Sequence, residues 1–518
     1  MLKKTLYIIL SFMLLGVLGA CQGFNRESKF VESFNLVPNP KEINGEKNDK
    51  GEYKAYKYNA TIKTEENEFK NAMNSFSEYG KKLFDVEFKE NNKADIVLNK
   101  DNGLDGEAYR IVADKKSIKV YASTEKGINN GLATLLQIME KAEDGIYIPA
   151  VEINDAPDST YRGMMVDLAR DWHEFEYLLN YVDMCYFYKI SVLHLHFTDD
   201  QSYTLPSDAY PDLPTENRHY TKEQLNTLVE YAHERGIELM PEIDIPGHCT
   251  QFQQKYSKIF GFGGIIHQHE DAFEALETIF DELCEIFKYS KYIHIGGDEA
   301  AIANWTQCKR CRDYAKTQGI DSDMSDKRLL SEQMLAHFVS RIGNVVFKNE
   351  KTPIVWEGFA KEVNDMVSKD IIVMSWENYY QITPDLLEGG FTIINCSWNP
   401  MYVVTPVAKW PVEEVFEWDI FSWKPVHPQS PYIKTGGIKI EPHDKVIGGQ
   451  LLAWGDHIEK QFENVEDGVK EEMRLLLERL PALSENTWNK EKTRTFEEFI
   501  VDAESLNERL TPILKIGE

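Results

Sequence analysis

Strand-like apolar runs recur eight times along the last two thirds of the chain, at 163–168, 191–197, 237–243, 291–296, 353–356, 371–375, 391–396 and 446–453. Helical patterns lie between several of them, notably at 175–188, 221–235, 271–288 and 325–347. Strands that alternate with helices must pair in parallel, because each helix carries the chain back to the starting edge of the sheet. Eight such units are the signature of a (β/α)8 TIM barrel. A doubly wound open sheet would alternate in the same way, but no glycine-rich phosphate fingerprint follows any of these strands, so the barrel is preferred. Ahead of it, 36–155 reads as a small α+β accessory domain. Tyr109–Val112 and Ile118–Tyr121 look like paired strands around Asp114-Lys115-Lys116, and Gly127–Met139 like a helix over them. The turn formers Asn154-Asp155-Ala156-Pro157-Asp158 mark the boundary, which assigns 156–518 to the barrel and C-terminal helices.

Charge narrows the partners. With 57 Lys+Arg against 85 Asp+Glu the formal net charge is −28, which argues against nucleic acid, since that affinity comes from cations neutralising phosphates. Seven cysteines in 518 residues are too few for a disulfide scaffold. At the N-terminus, Lys3 and Lys4 precede an apolar stretch that ends in Leu18-Gly19-Ala20-Cys21. Residues 1–21 therefore read as an export signal with a bacterial lipoprotein box. Cleavage would leave Cys21 as the lipidated first residue, 22–35 as a polar tether, and the rest in the cell envelope, membrane-anchored and extracytoplasmic.

Barrel chemistry gathers at the carboxyl ends of the strands. Those ends supply Asp167 and Arg170; His194, His196, Asp199 and Asp200; Glu242, Asp244 and His248; Asp298 and Glu299; Trp356, Glu357, Trp376 and Glu377; and Tyr402, Trp454 and Asp456. Eight of the ten tryptophans follow residue 350 and could wall a pocket against the apolar faces of a sugar. The sharpest stretch is Tyr292-Ile293-His294-Ile295-Gly296-Gly297-Asp298-Glu299. Adjacent residues of a strand point to opposite faces, so two neighbouring carboxylates reach one pocket only if the backbone leaves its pleat, which paired glycines permit. Two close carboxylates can then divide the work, one protonated and one ionised.

These pieces resemble glycoside hydrolase family 20, the β-N-acetylhexosaminidases. The resemblance runs through Arg162-Gly163, Asp167-Leu168-Ala169-Arg170, Leu193-His194-Leu195-His196-Phe197-Thr198-Asp199-Asp200-Gln201, Pro241-Glu242-Ile243-Asp244-Ile245-Pro246-Gly247-His248, His294–Glu299, and Gly448-Gly449-Gln450 before Trp454. The N-terminal unit, especially 107–136, is similar to that family's accessory α+β domain. The resemblance implies an exo-acting, retaining hydrolase of terminal N-acetylhexosamine that uses the sugar's own acetamide as nucleophile. Glu299 would be the acid and base, and Asp298 the partner of the acetamido N–H. Tyr402 would donate to the acetamido oxygen, with Trp356, Trp376 and Trp454 around its methyl. Arg162 would bind hydroxyls, while Asp200 and the Asp244/His248 pair would support the acid or the ring. Three positions depart from the family: Tyr203-Thr204 replace a common Trp-Arg, Val404 a common Asp, and Asp456 a common Glu. The last two usually read the C4 and C6 hydroxyls, which leaves gluco against galacto preference, and tolerance of a C6 substituent such as sulfate, open.

Other signals are weaker. His194-x-His196 near Asp199 could be a metal pair of the amidohydrolase kind, but no further ligand set follows, and no metal or other cofactor is expected. Cys308-x-x-Cys311 is half of a zinc site without a second half, for which a local disulfide or two free thiols is the preferred reading. Cys185, Cys249, Cys284 and Cys396 are scattered, and His233, His267, His269 and His443 carry no spacing signal. A lipoprotein that binds glycans through an inactive barrel is the alternative from another class, and turnover of a chromogenic N-acetylglucosaminide separates the two.

Overall fold

The computed structural model describes residues 26–406 and 410–516; the segment read as an export signal, with Cys21, lies outside them. Eight parallel strands close on themselves: β1 (Tyr161–Asp167), β2 (Val192–His196), β3 (Glu238–Ile245), β4 (Tyr292–Gly296), β5 (Thr352–Trp356), β6 (Ile372–Ser375), β7 (Thr392–Asn395) and β8 (Val446–Trp454). Closure runs in unbroken register from Tyr161↔Gly448 to Val166↔Ala453. All seven residues of β1 are buried, as a strand enclosed by barrel interior and helical shell must be. A short ninth strand, Tyr402–Val404, pairs in parallel with Leu452–Trp454 and extends the rim at the carboxyl end. The expected TIM barrel is therefore present.

Before it, a seven-stranded mixed sheet carries the helices Lys70–Phe84 and Glu125–Ile138, and includes the expected antiparallel pair Tyr109–Ala113 with Ile118–Ala122. Thr124 caps the second helix, accepting from Gly127 N–H. That helix is buried from Gly127 to Ile138 because the barrel helix Phe175–Phe187 covers its other side. The tether reading of 22–35 needs correction. Ser28–Val31 form a strand antiparallel to Tyr53–Tyr56, where Lys29 pairs with Glu140, so four residues of a polar-looking segment are used as an edge strand. Among the described residues no helix is long and apolar enough to cross a membrane.

Arg162 belongs to the interface between the two domains. It sits at the amino end of β1 with no exposed surface, donates from Nε to Lys189 O (2.9 Å) and from Nη1 to Ser159 O (2.7 Å), and pairs with Glu107 of the accessory domain. The expected contact with sugar hydroxyls is therefore corrected. Its guanidinium faces the floor of the barrel, a strand's length from the carboxyl ends.

Candidate active site

The carboxyl ends of the strands surround a cavity of about 420 Å³. Asp244, His248, Asp298 and Glu299 lie on one side, Trp376, Trp398, Tyr402 and Trp454 on another, and Arg170, Val404, Asp456 and His457 complete it.

The paired carboxylates owe their placement to two irregularities. Opposite His294–Gly296, β3 advances three residues, Glu242 to Ile245, for two on β4, a bulge that re-aims Asp244. On β4, Gly296 and Gly297 take φ of +71° and +113°, and a Cβ on Gly296 would lie 2.0 Å from Asp244 Oδ1. Only glycine fits there. Glu299 itself holds φ +46° and His248 φ +42°, an uncommon region for side chains of this size that suits residues positioned for function. The chain therefore turns out of its pleat and delivers Asp298 inward and Glu299 upward. Asp298 Oδ1 is buried without a partner, whereas the Glu299 side chain is 53% exposed.

Behind these two, charges alternate in sign. Glu242, fully buried inside the barrel, pairs with His196 and His294 (2.8 Å to the latter), receives the Trp356 indole N–H (2.6 Å) and lies 3.0 Å from His194 Nε2. His196 Nε2 is 3.1 Å from Asp199 Oδ2, and Asp199 Oδ1 is 3.2 Å from His248 Nδ1. His248 Nε2 lies 3.7 Å from Glu299 Oε2 and 3.8 Å from Asp244 Oδ2. Burial works against charge on His248, yet the Asp244 and Asp199 carboxylates outweigh it and raise its pKa to about 11, so it is an imidazolium at neutral pH. Asp199 is also buried, but hydrogen bonds from His196 and His248 and the charge of Arg170 hold it well below the usual carboxylate range. Burial and the Glu242 charge lift Asp244 to about 7 against the pull of His248. Burial, then the neighbouring Asp244, pushes Asp298 well above the usual range.

Arg170 supplies the second cation of the pocket. Asp167 Oδ1 accepts from the N–H groups of Ala169 and Arg170 and turns the chain just past β1, while its Oδ2 accepts from Arg170 Nη1 at 2.8 Å. The guanidinium then reaches Asp199 (2.9 Å), approaches Asp456 (3.7 Å) and lies 4.9 Å from the Trp454 ring centre. The aromatic side is a stack. Trp398 lies on Tyr402 at 4.5 Å and 10°, and Trp376 on Trp398 at 5.8 Å and 27°. Glu357 holds the loop that presents Trp376, accepting backbone N–H groups from Asn378, Tyr379 and Tyr380.

His248, Asp298, Glu299, Trp376, Tyr402, Trp454 and Asp456 thus converge on one cavity, and three expected residues do not. Arg162 lies at the barrel floor, and Arg170 occupies the position expected of it. Asp200 points away from the cavity and accepts from Thr250 N–H (3.2 Å) and Oγ1 (2.6 Å), so Asp199 is the carboxylate beneath His248. Trp356 is beneath the wall rather than part of it, 1% exposed, with its ring 6.1 Å from that of Trp454. Trp398 was not singled out by the sequence; its signal is its place three residues past β7. His194-x-His196 is occupied by the Glu242 network, where His194 Nδ1 also accepts from Gln450 Nε2 at 3.0 Å.

Comparison with known proteins bears on the fold and the lineage. The family model for the catalytic domain of glycosyl hydrolase family 20 matches 160–491, and that for its domain 2 matches 33–156. A beta-hexosaminidase of Vibrio furnissii is 27% identical over 409 residues, 71% of this chain and 64% of the relative. One of Akkermansia muciniphila is 34% identical over 284 residues, 49% and 56% respectively. The chain thus spans between about half and two thirds of the length of these curated relatives. Among solved structures, an exo β-N-acetylglucosaminidase of Vibrio harveyi in complex with N-acetylglucosamine superposes with a TM-score of 0.75 at 20% identity, covering 95% of this chain and 80% of that one. A β-N-acetylhexosaminidase of Bacteroides fragilis gives 0.73 at 20% identity, covering 92% and 96%. These likenesses support the fold, and the catalytic-domain model, matched over well more than half of the residues, supports the lineage: the chain belongs to glycosyl hydrolase family 20.

Proposed function

We propose that the protein is an exo-acting, retaining β-N-acetylhexosaminidase in which the substrate's acetamide is the nucleophile. The observation that carries this reading is the buried, unpartnered Oδ1 of Asp298 beside the stack of Trp376, Trp398 and Tyr402. A buried acceptor without a donor costs about 1–3 kcal/mol. An amide N–H that enters beside an apolar wall removes that cost, and an acetamide supplies both the N–H and a methyl for the wall.

In the first step the acetamido oxygen bonds to the anomeric carbon as the glycosidic C–O bond breaks, and Glu299 protonates the departing oxygen. Asp298 accepts from the acetamido N–H and, once ionised, faces the positive charge that grows on the forming oxazolinium ring. Tyr402 donates to the acetamido oxygen. In the second step Glu299 takes a proton from the water that opens the ring, which returns the anomeric configuration. His248, a cation 3.7 Å from Glu299 and braced by Asp199, stabilises the carboxylate after it has given up its proton. Arg170 and Asp456 border the part of the cavity where sugar hydroxyls would lie, and Val404 beside them neither repels nor pairs with a charged group. On this rim Arg170 would attract a sulfate at C6 and Asp456 would repel it.

The test is a matched pair of substrates. N-acetylglucosaminides should turn over and plain glucosides should not, and a thiazoline mimic of the bicyclic intermediate should bind far more tightly than the parent sugar. Glu299→Gln should slow substrates with poor leaving groups most, by about 10²–10⁴-fold. A trapped glycosyl ester on a protein carboxylate, or comparable turnover of the glucoside, overturns the reading. The envelope location belongs to the same proposal, and Cys21→Ala should release the protein from the membrane fraction.

A further inference from the structure

The two loops that bring His248 and Glu299 to the cavity meet again away from it. After His248 the helix Thr250–Phe260 ends at Gly261, and the turn that follows carries His267. After Glu299 the short helix Ala303–Gln307 leads to Cys308, whose Sγ caps the helix Lys309–Thr317 by accepting from Cys311 N–H at 3.3 Å. His267 Nδ1 is 3.8 Å from Cys308 Sγ, and the donor atoms of His267, Cys308 and Cys311 all lie within 4.8 Å of one another.

We propose that His267, Cys308 and Cys311 form a binding site for a thiophilic divalent cation, zinc above all, with solvent as the fourth ligand. Zinc takes sulfur at about 2.3 Å and imidazole nitrogen at about 2.0–2.1 Å, so tetrahedral neighbours stand roughly 3.5–3.8 Å apart. The His267–Cys308 separation already matches. The imidazole is set for the task. Its Nε2 is 3.0 Å from the Phe262 carbonyl, which can only accept, so Nε2 carries the proton and Nδ1 turns its lone pair to the thiols. The ring is also fixed in place: Gly261 has φ +82°, and a Cβ there would lie 2.3 Å from His267 Cγ. Binding displaces the two thiol protons, and the resulting thiolates balance the charge of the cation. Cys311 N–H already points at the Cys308 sulfur and would stabilise a thiolate there.

A local disulfide or two free thiols, the reading preferred from the sequence alone, accounts for the CxxC, and both cysteines are free thiols in the structure; neither form accounts for the histidine, since neither needs the imidazole or its tautomer. A cation explains all three residues. It would also reinforce an existing seam, in which Ile266 N–H donates to Pro246 O (2.9 Å) and the Trp305 indole N–H to Ile266 O (2.8 Å). Pro246 is two residues from His248, and Trp305 six from Glu299, so the cation would stiffen both loops and play a structural part.

The experiment is elemental analysis and cobalt substitution of the untagged full-length protein. About one zinc per chain is expected as isolated, removable by chelation with a fall in Tm that zinc restores. Cobalt should produce a thiolate-to-metal charge-transfer band. His267→Ala, Cys308→Ser and Cys311→Ser should each lower metal content at least tenfold, whereas Cys284→Ala, at a buried cysteine elsewhere, should not. If the cysteine variants fail to fold, the cobalt spectrum of the unaltered chain still decides the matter. Failure of the reduced protein to take up either cation, or a Cys308–Cys311 disulfide in the protein as isolated, overturns the proposal.

Discussion

Two arginines flank the first barrel strand, and they serve opposite ends of it. Arg162, at the amino end, is wholly buried, pairs with Glu107 and spends its remaining donors on the carbonyls of Ser159 and Lys189. Arg170, past the carboxyl end, is ringed by Asp167, Asp199 and Asp456, yet keeps one edge on the cavity. Both are largely enclosed cations with carboxylate partners, so neither residue type nor pairing distinguishes them. What differs is distance along the strand. In a barrel the amino end meets whatever the fold must be stapled to, and the carboxyl end meets substrate.

Removing each in turn tests this division. Arg170→Ala should reduce kcat/KM by about 10²–10⁴-fold, because a charged hydrogen bond contributes about 1.5–3 kcal/mol and a guanidinium can make two; Tm should fall as well, because the buried Asp167 and Asp199 lose their cation. Arg162→Met should cost stability without the loss of turnover. Breaking a buried pair by removing one partner costs about 3–5 kcal/mol, and the low end applies because Lys126 remains 3.0 Å from Glu107. Its kcat/KM at a temperature where it is folded should stay within about threefold of the unaltered protein. An Arg162 variant that unfolds normally but loses substrate affinity would collapse the distinction.

Subtler tests act on the carboxylates. Asp244 raises the Asp298 pKa by like-charge repulsion, so Asp244→Asn should make Asp298 easier to ionise. If the free enzyme needs Asp298 as carboxylate, the acidic limb of the kcat/KM profile should move toward lower pH. A shift toward higher pH, or none, would remove Asp244 as the source of that repulsion. Asp200→Ala should have the smallest effect, within about twofold in kcat/KM, since this side chain engages Thr250 at the surface.

The same contrast explains how much was legible before the structure. Alternation of strand and helix gave the barrel, because apolar periodicity is local. The glycine pair before Asp298 and Glu299 gave the site, because a break in the pleat is local too. Depth and direction are not. Asp199 and Asp200 are neighbours of identical chemistry, and only the turn after β2 decides which one is buried beneath His248. Trp356 ends its strand as Trp454 does, but it faces inward onto Glu242 while Trp454 reaches the cavity. Trp398 is readable only once β7 is known to stop at Asn395. The confusion of Arg162 with Arg170 had a local remedy, since the rule about carboxyl ends already favoured the latter.

The short strand Tyr402–Val404 has a consequence for how the pocket responds to its ligand. Its register with β8 sets Tyr402 opposite Leu452 and Val404 opposite Trp454, so two parts of the aromatic wall belong to one hydrogen-bonded ladder. Moving the Tyr402 backbone aside would mean peeling this strand from β8, which it extends at the rim of a barrel that stays closed. Amide protons of Tyr402–Val404 held in that ladder should therefore exchange with solvent more slowly than those of unpaired rim loops, with or without sugar. The ordering of the wall is settled during folding, which spares each binding event the entropy of assembling it.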